Sequence, residues 1–174
     1  MTTIGVAIAV PDPWGTALQE YRTALGDVSA EQIPTHITLM PPVEVQAGGL
    51  PAVEEHLLQA SAQNNAFTVH LRGTGTFRPV SPVVFVVVVE GISQCEQLAF
   101  SVRRGPLFCE LQFPYHPHVT VAHHLSDQYL DKAFHELADF DCTFEVDHFS
   151  LYEHDPATGW RPTRDFPLTA RAED

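Results

Sequence analysis

The chain has 174 residues, enough for one domain or two closely joined lobes, and 44% hydrophobic and 10% aromatic content excludes a wholly disordered protein. Acidic residues number 22 against 9 basic, a formal net charge of -13. A surface that negative repels polyanions, because each phosphate contact needs a Lys or Arg to displace counterions. A coat for DNA or long RNA is therefore disfavoured, while a small phosphorylated ligand in a local pocket is not. The acidic excess, including Glu153, Asp155, Glu173 and Asp174, reads as a solvated face.

The longest apolar run, Val83 to Val89, falls far short of the roughly 20 residues a membrane helix needs. No basic residue precedes the apolar stretch at Met1 to Val10, so no secretory signal is expected. Cys95, Cys109 and Cys142 are odd in number and widely spaced, reading as ordinary buried or half-buried thiols. Together these features predict a cytoplasmic protein with no membrane partner, and a monomer is expected.

In chain order, Ile4, Val6, Ile8 and Val10 alternate with Gly5, Ala7 and Ala9, predicting a strand with one bulky and one nearly bare face. A ligand could approach the bare face closely. Asp12-Pro13 reads as a helix start, Trp14, Ala17, Leu18, Tyr21 and Leu25 as its stripe, and Gly26 as its stop. A short strand over Ile33 to Met40 is expected to end at Pro41-Pro42. A helix with Leu50, Val53, Leu57 and Leu58 inward follows, then a strand from Phe67 towards Phe77.

The second half opens on Val83 to Val89, apolar on both faces and so a central strand. Ile92, Cys95, Leu98, Ala99 and Val102 form a helical stripe, Val119 and Val121 lie on a short strand, and Ser126 opens a last helix. Final strands near Thr143 to Tyr152 and Thr163 to Ala170 flank the turn Asp155 to Gly159. The expected order is βαβαβ twice, plus one strand. This α+β chain reads as a single domain over residues 1–174, with lobes of about 1–78 and 79–174.

The chemistry-bearing signal is a repeated motif: His36-Ile37-Thr38-Leu39 and His118-Val119-Thr120-Val121. On a strand, positions two apart share a face, so each His projects with its Thr while the apolar residues enter the core. At this composition chance supplies only about 0.15 such motifs with apolar flanks. Both lie on the second strand of their half, and Pro34 and Pro117 precede them. A looser match, His148-Phe149-Ser150-Leu151, lies on a different strand without that proline and is left out of the site.

Two imidazoles facing one cleft can hold opposite protonation states near neutral pH, one taking a proton from water and the other protonating a leaving oxygen. The Thr hydroxyls can donate to non-bridging phosphate oxygens as charge builds there. The scheme needs no cofactor and no metal. The histidines at 116, 118, 123 and 124 invite a metal reading, but no carboxylate or Cys follows nearby at ligand spacing. Phe77 and Tyr115 near the cleft are candidates for stacking on a base.

The paired motifs, His36 to Leu39 and His118 to Val121, resemble those of the 2H phosphoesterase superfamily. The string Pro117 to Ala122, with Gly73-Thr74-Gly75-Thr76-Phe77 and Phe166-Pro167-Leu168, is similar to its bacterial RNA 2',3'-cyclic phosphodiesterase branch, also called 2'-5' RNA ligase-like proteins. The resemblance implies a bilobal fold with pseudo-twofold symmetry, mainly antiparallel sheets and a central cleft. It further implies cofactor-free hydrolysis of 2',3'-cyclic phosphate ends to 2'-phosphates, with His36 as acid, His118 as base, and Thr38 and Thr120 on the phosphate. The sequence alone does not order the two histidines. Where that branch often carries a basic residue after the second motif, this chain has His123-His124. That favours a small nucleotide or a short RNA end as substrate. A non-catalytic binder of small phosphorylated nucleotides, and 2'-5' RNA ligation by the reverse reaction, are the alternatives.

Overall fold

The computed structural model describes residues 1–171; Glu173 and Asp174, two residues expected on the acidic face, lie outside them. Strand β1 (Thr2–Ala9) buries Ile4, Val6 and Ile8 on its core side. Helix α1 (Trp14–Leu25) starts where Asp12 accepts hydrogen bonds from the backbone and hydroxyl of Thr16, and stops at Gly26 in the left-handed conformation (φ 106°). Strand β2 (His36–Val45), helix α2 (Leu50–Ala62), strand β3 (Phe67–Thr76), strand β4 (Val83–Glu90) and helix α3 (Ile92–Val102) follow. After them come β5 (His118–His123), α4 (Asp127–Glu136), β6 (Asp141–Val146), β7 (His148–Asp155) and β8 (Gly159–Pro167).

The architecture is α+β, with two four-stranded antiparallel sheets in the orders β2-β1-β7-β8 and β5-β4-β3-β6. The repeat is visible in the matching roles of β2 and β5 at the sheet edges and of β1 and β4 beside them. The two edges approach each other, and the helices cross over: α1 packs on β5 while α3 packs on β2. Trp14, at the start of α1, stacks on Phe144 of β6 at 6.5 Å. Each half of the chain thus roofs the sheet begun by the other, and one core runs through both.

That exchange corrects the expected lobe boundary near residue 78. Strand β3, in the first half, pairs with β4 and β6, while β7 returns to pair with β1 and β8 adds on beyond β7. The single strand expected over Thr143 to Tyr152 is divided at Asp147 into β6 and β7, which belong to different sheets. The alternation shifts phase at Asp147-His148, from Phe144 and Val146 to Phe149 and Leu151, but which sheet each piece joins depends on its partner strand. The last strand begins at Gly159 rather than Thr163 and ends at Pro167.

Strand β2 also runs through Pro41-Pro42 to Val45 instead of ending there. It is an edge strand, and the register slips between the pairs Ile4–Val43 and Val6–Met40, so missing proline N–H groups cost little ladder bonding. Leu58, expected inward on α2, is 42% exposed, and the helix buries Val53, Leu57 and Ala60. Cys95 and Cys142 are buried and Cys109 half-buried, all three free. Among the described residues no helix is long and apolar enough to cross a membrane.

The segment leading into β2 is pinned from α1. Arg22 and Asp27, both buried, form an ion pair at 2.7 Å, and the second Asp27 oxygen accepts from the Ser29 backbone and hydroxyl. Removing one member of such a pair strands a buried charge. Asp27→Ala is expected to destabilise the fold by about 3 to 5 kcal/mol. Chemical denaturation would measure this, and an unchanged midpoint would contradict it.

Candidate functional site

The first motif opens β2 and the second opens β5, so the contact between the two edges brings them together. In each, the apolar members enter the core: Ile37, Leu39, Val119 and Val121 have no exposed surface. Alternation turns His36, Thr38, His118 and Thr120 to the opposite face, where all four are half-buried.

Both histidines are held in the same way. His36 Nδ1 lies 2.6 Å from the carbonyl oxygen of Pro34, and His118 Nδ1 lies 2.7 Å from that of His116. A carbonyl can only accept, so Nδ1 must carry the proton, and in the neutral ring Nε2 is left as the base. Each residue two places before its motif therefore fixes the tautomer and orientation of the imidazole.

Burial lowers the pKa of both rings from the ordinary histidine value. For His36 the charge of Arg22 adds to the effect; for His118 the charges of His116 and His36 do. The hydrogen bond each ring donates opposes the shift. The influence of His36 on His118 accords with the contact between β2 and β5.

Phe77 and Tyr115 occupy different positions in this site. Phe77 presents its edge to His118, centroids 4.9 Å apart, and packs on Phe85 at 4.5 Å. Tyr115 is half-buried; its hydroxyl donates to the Thr38 carbonyl at 2.7 Å, and the Arg103 guanidinium lies over its ring at 5.6 Å. Tyr115 thus ties the loop before the second motif to the backbone of the first. His148 begins β7 in the same sheet as His36, but its Nδ1 contacts the Asp147 carboxylate at 2.6 Å, so it lacks the carbonyl restraint of the motif pair. His123, the last residue of β5, and His124 just after it have ring centroids 3.6 Å apart at the far end of the strand from His118. Among the described residues no three His, Cys, Asp or Glu side chains converge as a metal-binding group.

A cavity of about 210 Å³ adjoins the first motif. Gly5, Val6 and Ala7 line its floor, Pro34, His36, Thr38, Met40 and Pro42 one side, and Tyr152 and Trp160 the other. The bare face of β1 was legible in the Gly5-Ala7-Ala9 alternation. Tyr152 and Trp160 were not, because their place beside β1 depends on β7 returning to the first sheet.

The chain belongs to the 2'-5' RNA ligase superfamily, whose model matches residues 10–158. With its two motifs on facing sheet edges, it is a 2H phosphoesterase by family. A Bacillus cytotoxicus protein named as a candidate phosphoesterase is 33% identical over 95 residues, 55% of this chain and 55% of its own. A Bacillus cereus relative of the same description is 32% identical over the same extent. The chain spans about half the length of these curated relatives. Among solved structures, Escherichia coli LigT complexed with 3'-AMP is similar in fold, with a TM-score of 0.66, 21% identity, and coverage of 97% of this chain and 98% of that one. TT0787 of Thermus thermophilus is likewise similar, with a TM-score of 0.67, 21% identity, and coverage of 99% and 100%.

The histidine shifts make a stability prediction. His36, His118 and His123 all have lowered pKa values, so below their ordinary value near 6.5 the unfolded chain binds more protons than the folded one. Their contribution is complete above that value and is lost as pH falls below it. The melting temperature is expected to drop between about pH 7 and pH 5, before the carboxylates titrate, with a shallower drop in His36→Asn. A melting temperature that stays level or rises over that interval would contradict the assignment.

Proposed function

We propose that this protein is a metal-independent phosphodiesterase that opens 2',3'-cyclic phosphates, on small nucleotides or short RNA ends, to 2'-phosphates. The observation that carries the reading is the duplicated restraint. Two imidazoles, each with Nδ1 committed to a carbonyl two residues upstream, offer Nε2 as the free position for chemistry. A binding site needs hydroxyls and a cation; it does not need two imidazoles prepared alike.

In the reaction, His118 Nε2 takes a proton from water as the water oxygen attacks phosphorus. The bond from phosphorus to the 3' oxygen breaks, and protonated His36 delivers its Nε2 proton to that oxygen. The product carries a 2'-phosphate and a 3'-hydroxyl. One proton has entered at His118 and one has left His36, and exchange with solvent restores the pair. Thr38 and Thr120 donate to the non-bridging oxygens, where negative charge grows. The assignment of His36 as acid follows the family resemblance. Half-buried, restrained positions strengthen each of these hydrogen bonds relative to bulk water.

Further support comes from charge. With a net charge of -13, the protein is poorly suited to long polyanions, so a single nucleotide or chain end is the favoured substrate. The fold-related E. coli protein was solved with 3'-AMP, a nucleotide monophosphate of that size.

His36→Ala and His118→Ala are each expected to lower kcat on adenosine 2',3'-cyclic phosphate by about 10²- to 10⁴-fold while the circular dichroism spectrum is kept. Near-native rates in both would refute the mechanism, and retained nucleotide binding without product in the unaltered protein would indicate a binder. Because burial lowers both pKa values, the free enzyme holds the acid in its charged form only on the acid side of neutrality. The profile of kcat/KM against pH is expected to be bell-shaped with its optimum below about pH 6.5. A flat profile between about pH 5 and 8, with chemistry rate-limiting, would count against it.

A further inference from the structure

The two sheets are related by the repeat, but their cleft faces differ at one equivalent position. In the first sheet the residue paired with the motif threonine is Ala7, opposite Thr38; in the second it is Phe85, opposite Thr120. The neighbouring pairs are Ala9 opposite His36 and Val87 opposite His118. The first sheet therefore places methyl groups and Gly5 where the second places a phenyl ring and an isopropyl group.

Phe85 fills its side of the cleft. Its ring lies over Gly75, where an added Cβ would come within 2.7 Å, and it packs on Phe77 and against His118. The first sheet has a trough in the corresponding region. Gly5 and Ala7 form its floor, and Trp160 closes one wall so low over Gly5 that an added Cβ would sit 3.4 Å from the indole. The wall is held from behind: Gly159 lies against the backbone of Gln32, just before the Ile33-Pro34 segment that lines the opposite side.

From this asymmetry we infer that the trough beside His36 is the nucleobase subsite, and that substrate enters the cleft in one orientation, base on the first sheet. The inference rests on the hydrolytic reading above and adds to it the group that is recognised. The trough opens onto His36 and Thr38, so its occupant belongs to the same molecule as the phosphate. Its volume of about 210 Å³ is smaller than the roughly 300 to 1,000 Å³ of sites for larger ligands, so it takes one ring system and not a dinucleotide. Tyr152, Trp160, Met40 and two prolines supply flat or polarisable apolar surface and few hydrogen-bonding groups to read a base edge. Recognition is by stacking, which every base can satisfy and purines satisfy best. Adenine and guanine nucleotides should be used about equally, and both better than pyrimidine ones.

The test compares adenosine 2',3'-cyclic phosphate with glycerol 1,2-cyclic phosphate, which keeps the strained ring and lacks the base. Loss of one base–aromatic stack corresponds to about 5- to 100-fold in affinity. Trp160→Ala should raise KM for the adenosine substrate by that factor and leave kcat/KM for the glycerol substrate within about twofold. Trp160→Phe, which keeps a ring, should recover most of the loss. A parallel fall on both substrates, or no change on either, would overturn the subsite. If the unaltered protein hydrolyses neither substrate, the hydrolytic reading fails, and calorimetric titration with adenosine 2'-monophosphate and with inorganic phosphate judges the trough by itself. Preference for the nucleotide that Trp160→Ala abolishes would then uphold it; equal binding of the two would overturn it.

Discussion

Two backbone carbonyls, those of Pro34 and His116, determine what the motif histidines can do. Each occupies the Nδ1–H of its imidazole and so fixes ring plane and tautomer together. The rest of the molecule can be understood as the means of keeping those carbonyls and rings in register. Proline at position 34 presets the chain direction before β2, the buried Arg22–Asp27 pair anchors the turn ahead of it, and the Tyr115 hydroxyl ties the second motif's loop to the Thr38 carbonyl. The same residues that bury Ile37, Leu39, Val119 and Val121 aim the polar ones outward, so packing energy and site geometry are not separable.

Exchange of elements between the halves explains why neither half could form this site alone. With α1 covering β5 and α3 covering β2, each motif strand is backed by a helix from the sheet across the cleft. A shift of one sheet against the other would break the packing of both helices, which restricts the relative motion of the two edges. Within that near-symmetric frame the proposed chemistry requires asymmetry, since one imidazole would give a proton while the other takes one. The exchange of Ala7 for Phe85 at equivalent positions offers a physical origin for it: the two faces of the cleft present different surfaces to a substrate that is itself unsymmetrical.

How much of this was legible in the sequence varied with the range of the interaction. Alternation at Ile4 to Val10 identified a strand with a bare face, and the twin His-x-Thr pattern put four side chains on common faces, because strand periodicity is local. The break at Asp147 was only partly legible: the alternation changes phase between Val146 and Phe149, but the placing of β6 and β7 in different sheets depends on the choice of partner strand. For the same reason Trp160 and Tyr152 went unnoticed as walls of the trough. Pro41-Pro42 misled in the opposite direction, since an edge position and a register slip remove the cost that prolines impose inside a sheet. The Nδ1 restraints had a partial signal in Pro34 and Pro117, but the carbonyls that accept belong to the residues two before each His, Pro34 and His116.

The most direct measurement is incubation with adenosine 2',3'-cyclic phosphate in excess EDTA, with the products resolved by position of the phosphate. Two positioned imidazoles acting on the 3' oxygen predict adenosine 2'-phosphate as the product, at a rate unchanged by the chelator. Adenosine 3'-phosphate as the main product, or turnover abolished by EDTA and restored by a divalent cation, would contradict the account.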